Sequence, residues 1–156
     1  VIDMSVETMA RLFELKNIVG VKDATGDLNR AEQQQKIMGD KFIMLTGEDA
    51  NALEFNKKGG RGCISVTANV AAKLCSEMQS ASLTRDDLKL QKKAEDIYRL
   101  LTPLNKSLFI ESNPSPVKYA ASLLKLSTDD VRLPLVKITD PTKSAVEQAL
   151  KYAHLI

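Results

Sequence analysis

Three short apolar segments, Ile18–Val21, Phe42–Leu45 and Cys63–Val66, follow one another at similar intervals with a helical pattern between each pair. Strands separated by whole helices cannot form hairpins. They pair in parallel through helical crossovers, and this constrains the fold more than any other feature of the chain. Phe42–Leu45 is apolar without interruption, as a strand covered on both faces requires. The intervening segments carry helix signals of their own. Ser5 can cap a first helix with Val6, Met9, Ala10 and Phe13 on one face. Asp27 opens a mostly polar helix that ends near Gly39, a residue suited to the left-handed terminal position. Asp49 can cap a short helix over Ala50–Lys58 that stops at Gly59-Gly60. The third strand leads into a helix over Val70–Ser80, with Val70, Ala71, Leu74, Cys75 and Met78 on one side.

From Thr84 onward the pattern contains helices only. Thr84–Asp87 has the form of an N-terminal cap, and Leu90, Ala94, Ile97, Leu101, Leu104 and Leu108 recur at spacings of four and three. Pro103 removes a hydrogen bond from that helix and crowds the carbonyl one turn earlier, so a bend is expected there. A helix from Ser115-Pro116 turns Val117, Ala120, Ala121 and Leu124 inward. A last helix from Asp140-Pro141 buries Val146, Ala149, Leu150 and Ala153. The expected class is α/β: about three βα units of a (β/α)₈ barrel over residues 1–83, then a helical domain over 84–156. A complete barrel of this kind needs about 250 residues. The chain has 156 and opens on Val1 rather than methionine, so it reads as a piece of something longer.

Function in a parallel barrel collects at the C-terminal ends of the strands. Lys22 stands at the first of these ends. An amine held there in a low-dielectric setting is driven toward its neutral form, which can attack a carbonyl and form a Schiff base. A solvated turn lysine is the plainer reading of the same residue. Gly47 ends the second strand, where the missing side chain permits close backbone approach to a small ligand or serves the turn alone. Thr67 and Asn69 can supply polar groups at a pocket rim or cap the helix at Val70. Gly59-Gly60-Arg61-Gly62 lacks the Gly-Lys-Ser/Thr element of a phosphate loop, and helix termination accounts for it. Cys63 and Cys75 have no metal-ligand spacing, and His154 is the single histidine, which excludes a zinc site or a Ser-His-Asp triad. No metal is expected. Charged residues make up 27% of the chain with a net charge of +2 and interspersed signs, which points away from nucleic acid and anionic membranes. No apolar run approaches the roughly 18 residues that span a bilayer.

Five segments together carry a resemblance. They are Val21-Lys22-Asp23-Ala24-Thr25-Gly26, Leu45-Thr46-Gly47-Glu48-Asp49-Ala50, Gly59 to Val70 (Gly-Gly-Arg-Gly-Cys-Ile-Ser-Val-Thr-Ala-Asn-Val), Glu111-Ser112-Asn113-Pro114-Ser115-Pro116-Val117-Lys118 and Val131-Arg132-Leu133-Pro134-Leu135. In this order and at these separations the chain resembles the C-terminal half of the dihydrodipicolinate synthase family over essentially its whole length. The lysine strand and the Gly-Gly element are shared more loosely with other pyruvate-dependent aldolases. The Ser-Val-Thr-Ala-Asn and Asn-Pro-x-Pro-Val-Lys elements are the narrower match.

The resemblance implies a cytoplasmic, homotetrameric lyase that condenses pyruvate with aspartate semialdehyde at the entry to lysine and diaminopimelate synthesis. It needs no cofactor beyond the covalent lysine–pyruvate imine. Lys22 is then the Schiff-base residue, Gly47 lies beside the substrate, and Ile64 holds the position whose backbone contacts pyruvate. From its own sequence Ile64 is simply a core strand residue. The family's carboxylate-binding threonine pair, its proton-relaying tyrosines, its aldehyde-receiving arginine and, in many relatives, its lysine-inhibitor site have no counterpart in this sequence. The chain alone is therefore expected to be inactive. The alternatives are another class I aldolase, such as an N-acetylneuraminate lyase, or a non-catalytic assembly piece whose late helices contact sibling subunits.

Overall fold

The computed structural model describes residues 3–156; positions 1 and 2 of the expected 1–83 barrel part lie outside the described residues. In chain order the elements are α1 (Val6–Phe13), β1 (Gly20–Asp23), α2 (Leu28–Met38), β2 (Ile43–Thr46), a 3₁₀ turn (Asp49–Asn51), α3 (Ala52–Lys57), α4 (Ala68–Leu83), α5 (Leu88–Ser107), α6 (Ser115–Leu123) and α7 (Asp140–Tyr152). The protein is α/β, with its strands parallel and connected by helices, as part of a barrel would be.

Local chemistry sets most of the boundaries. Ser5 Oγ accepts from the Thr8 amide at 3.2 Å, Asp27 from Asn29 at 2.9 Å, and Asp87 from both Lys89 and Leu90. Each bond satisfies an amide that the first helical turn leaves without a partner. Gly39 ends α2 at φ 69°, a backbone conformation costly for residues with a Cβ. β1 and β2 pair in parallel with Gly20 opposite Ile43 and Lys22 opposite Leu45. Both strands begin and end later than their apolar letters suggest, because ladder bonds rather than hydropathy define a strand. Lys22 consequently lies inside β1 instead of just beyond it.

The expected third strand over Cys63–Val66 is not formed. A single parallel bridge joins Thr46 to Cys63, supported by Arg61 N–H to Met44 C=O at 2.9 Å, Thr46 N–H to Gly62 C=O at 3.0 Å and Ile64 N–H to Thr46 C=O at 2.8 Å. Beyond Ile64 the ladder stops, because the Val66 and Thr67 amides bond to the Asp49 carboxylate instead. The sheet is therefore two strands and a bridge rather than three strands.

Two apolar clusters result. Val6, Met9, Ala31, Met38, Phe42, Met44 and Phe55 join α1, α2 and α3 to one face of the sheet, with Phe13 set edge-on to Phe42. The larger cluster runs from Ala52 and Leu53 through α4 to α5, α6 and α7, and contains Leu101, Leu104, Leu108, Val146 and Leu150 at 2% exposure or less. Helix α5 carries the expected stripe inward and runs through Pro103 as one element of 20 residues. The Thr102 hydroxyl donates to the Tyr98 carbonyl at 2.8 Å in the turn where proline supplies no amide. Among the described residues no helix is long and apolar enough to cross a membrane.

Candidate active site

Alternation along the paired strands sorts their side chains. Asp23, Met44 and Thr46 are buried toward the helices, while Lys22, Ile43 and Ile64 are exposed on the opposite face. The burial expected for Lys22 is thus absent. Two strands and a bridge cover only one side of the amine, and nothing among the described residues closes over the face from which it rises. Ile64, expected as a core residue, is 51% exposed for the same reason, and its amide is engaged by the Thr46 carbonyl.

Gly47 continues the parallel register one residue past β2, its amide donating to the Asp23 carbonyl at 2.8 Å. This bond holds the end of β2 beside the segment that carries Lys22. The three expected site residues therefore fall on neighbouring strand ends, with Lys22 and Gly47 in direct proximity.

Asp23, next to Lys22 in sequence, points the other way. Its buried carboxylate accepts from the Thr25 amide at 3.0 Å, the Thr25 hydroxyl at 2.7 Å, Arg30 Nε at 3.1 Å and Gln34 Nε2 at 2.8 Å. Burial alone would raise its pKa, but the bonds from Thr25, Arg30 and Gln34 outweigh it, and the carboxyl sits below its ordinary range. A depressed carboxyl stabilises the fold above its unfolded pKa, and that stabilisation is lost as pH falls through the folded value. Arg30 also bonds Asp3 at 2.9 Å and the Met4 carbonyl at 2.7 Å, which ties the start of the described chain to α2. β1 is therefore clamped from its buried side, leaving the Lys22 side free.

Asp49 has a role that the sequence did not reveal. Instead of capping the helix that follows it, a task that falls to Glu48 through Ala50 N–H at 3.1 Å, Asp49 reaches forward. Its 6%-exposed carboxylate accepts from the amides of Val66 (2.8 Å) and Thr67 (3.2 Å) and from the Ser65 hydroxyl. Ser65 Oγ in turn accepts from Ala68 N–H at 2.8 Å, so Ser65, not Thr67 or Asn69, caps α4. The Thr67 hydroxyl bonds Asn105 of α5 at 2.7 Å, and Asn69 returns to the Val66 carbonyl at 2.9 Å. A buried carboxylate tolerates desolvation only with donors of this number. Asp49→Ala would leave the part-buried Val66 amide and the buried Thr67 amide without an acceptor, and we expect a loss of about 3–4 kcal/mol in unfolding free energy. Urea denaturation of native and variant chains measures this; a loss below about 1 kcal/mol would mean that Asp49 does not anchor the start of α4.

Beside Asp49 lies a cavity of about 220 Å³ bordered by Cys63, Cys75, Met78, Tyr98 and Leu101. Burial pushes the Cys63 thiol up to about 12, with Asp49 adding to the effect, and the Cys75 thiol to about 11. Both stay protonated at neutral pH and pack as small apolar groups, not nucleophiles. Among the described residues no group of three or more His, Cys, Asp or Glu is placed to hold a metal.

Parallel strands with helical crossovers and an amine near the end of β1 are consistent with a segment of an α/β barrel protein. The profile of the dihydrodipicolinate synthetase family matches residues 1–153. The chain belongs to that family. It is 64% identical over 157 residues to the 4-hydroxy-tetrahydrodipicolinate synthase of Pelagibacter ubique, covering all of this chain and 53% of that protein. Its identity to the enzyme of the same name from Methylobacterium radiotolerans is 58%, over all of this chain and 51% of the relative. Among solved structures, the chloride-inhibited dihydrodipicolinate synthase of Acinetobacter baumannii, crystallised with pyruvate, superposes with a TM-score of 0.91 at 37% identity. That match covers 99% of this chain and 52% of the other. The chain spans about half the length of the curated relatives it matches.

Proposed function

We propose that the full-length protein carrying this chain is a Schiff-base lyase that condenses pyruvate with aspartate semialdehyde to 4-hydroxy-tetrahydrodipicolinate, in lysine and diaminopimelate synthesis. The observation that carries the proposal is the amine of Lys22, rising from β1 on the open face beside Gly47 at the end of β2. In this reading the neutral amine attacks the keto carbon of pyruvate and expels water. The resulting iminium withdraws electron density from the methyl carbon, whose proton is then lost. The enamine so formed attacks the aldehyde carbon of the second substrate. Ile64 presents backbone to the bound keto acid, and Gly47 lies beside it. The covalent imine takes the place of any cofactor.

The same reading makes residues 1–83 the last βα units of a barrel and residues 84–156 a C-terminal helical domain, the chain corresponding to the C-terminal half of the enzyme. It further makes the protein a cytoplasmic homo-oligomer, a tetramer as the family resemblance implies, with the helices after Thr84 available for contacts between subunits.

Borohydride reduction in the presence of pyruvate tests the chemistry directly. The full-length protein should gain one reduced pyruvate adduct, and peptide mass spectrometry should find it on Lys22. An adduct on a different lysine would sink the assignment. Turnover with another aldehyde in place of aspartate semialdehyde would move the protein to a different branch of pyruvate-dependent aldolases.

A further inference from the structure

We infer that Gly47 is a positioning residue for Lys22, its missing side chain forming the slot through which the aliphatic stem of the lysine passes. The inference rests on the reading of Lys22 as the imine-forming amine and adds a second residue to that machinery. A Cβ built on Gly47 would lie 2.6 Å from Lys22 Cε and 2.7 Å from Ala24 Cβ. Both separations are far inside van der Waals contact, which for carbon atoms lies near 3.5–4.0 Å. Gly47 has no positive φ that would demand glycine on conformational grounds. Its amide is fixed on the Asp23 carbonyl, so the Gly47 backbone cannot withdraw without breaking the last bond of the ladder.

The two collisions differ in what must yield. Ala24 has no rotatable side chain, so relieving its contact moves backbone in the turn after β1. Lys22 Cε is one bond from the amine on a flexible stem, so relieving that contact swings Nζ away and leaves the fold intact. Lys22 is opposite Leu45 in the ladder, and the stem leans across the strand end toward Gly47. A methyl group at 47 therefore acts on the amine through Lys22 Cε and, separately, on the turn through Ala24. Misplacing a reacting atom by about 1 Å costs on the order of 10²-fold in rate.

The test separates this role from backbone approach to substrate. In the full-length protein, the rate of borohydride-trapped adduct on Lys22 is measured against pyruvate concentration for the native protein, Gly47→Ala and the double variant Ala24→Gly/Gly47→Ala. Circular dichroism follows the fold of each. The limiting rate should fall by about tenfold or more in Gly47→Ala, with half-saturating pyruvate little changed. The double variant relieves the Ala24 contact alone, so it should remain slow. Higher half-saturating pyruvate at an unchanged limiting rate would overturn the inference in favour of substrate approach. Recovery of the native rate in the double variant would overturn it in favour of the turn. Loss of folding in both variants would overturn it as well, since the methyl group would then be acting on the sheet. Absence of the Lys22 adduct in the native protein would instead withdraw the underlying reading of Lys22, whatever the variants do.

Discussion

Lys22→Arg should abolish turnover in the full-length protein, with a fall on the order of 10⁴–10⁶-fold, the scale seen when an enzyme loses its nucleophile. A guanidinium keeps its proton across the accessible pH range and cannot present the lone pair that imine formation needs. The substitution preserves charge and approximate length, and Lys22 is exposed with no salt bridge among the described residues. Stability should therefore change by no more than about 0.5 kcal/mol. A thermal melt beside the assay separates lost chemistry from lost structure. Turnover within an order of magnitude of the native protein would remove Lys22 from the reaction.

Residues 1–156 expressed alone should show little or no synthase activity. General acid–base groups contribute about 10²–10⁴-fold each, and the proton-relaying tyrosines implied by the resemblance are not in this sequence. Neither are the threonines that would hold the pyruvate carboxylate, so binding would fail before chemistry began. The surface points the same way. Ile43 is 45% exposed and Ile64 51% on the open face of a sheet with open edges, and Val19, just ahead of β1, is 61% exposed. Such a face favours association with other chains. Mixing the purified chain with pyruvate and aspartate semialdehyde, with light scattering on the same sample, provides the measurement. Activity near that of the intact relatives from a monodisperse sample would contradict the expectation.

The helices were largely legible in the sequence because their signals are local. The stripe from Leu90 to Leu108, the caps at Ser5 and Asp27 and the Gly39 terminus each depend on neighbours within a turn or two. The sheet was less legible. Cys63–Val66 has strand-like composition, but the amides of Val66 and of Thr67 just after it find a carboxylate seventeen and eighteen residues away, and no periodicity signals such a competitor. Asp49 satisfied the rule for a helix cap, and nothing nearby in sequence marks the longer reach. Lys22 and Gly47 could be nominated separately from strand ends and turn chemistry. Their contact could not, because it depends on parallel register, which is set by packing between elements rather than along them. The exposure of Lys22 and Ile64 likewise follows from how much of a wall is present, a global property that no short motif encodes.

The bonds around Asp49 also act as a bracket. Its carboxylate grips the start of α4, its carbonyl accepts from Asn105 Nδ2 of α5 at 3.5 Å, and only Glu48 separates it from Gly47. Asn105 in turn accepts from Thr67, so both helices are fastened to one point just past the end of β2. α5, which belongs to the large apolar cluster, is thereby joined to a point one residue from Gly47. The place of Gly47 is in this sense tied to helices packed well behind it, and core residues far from the strand ends help to hold it.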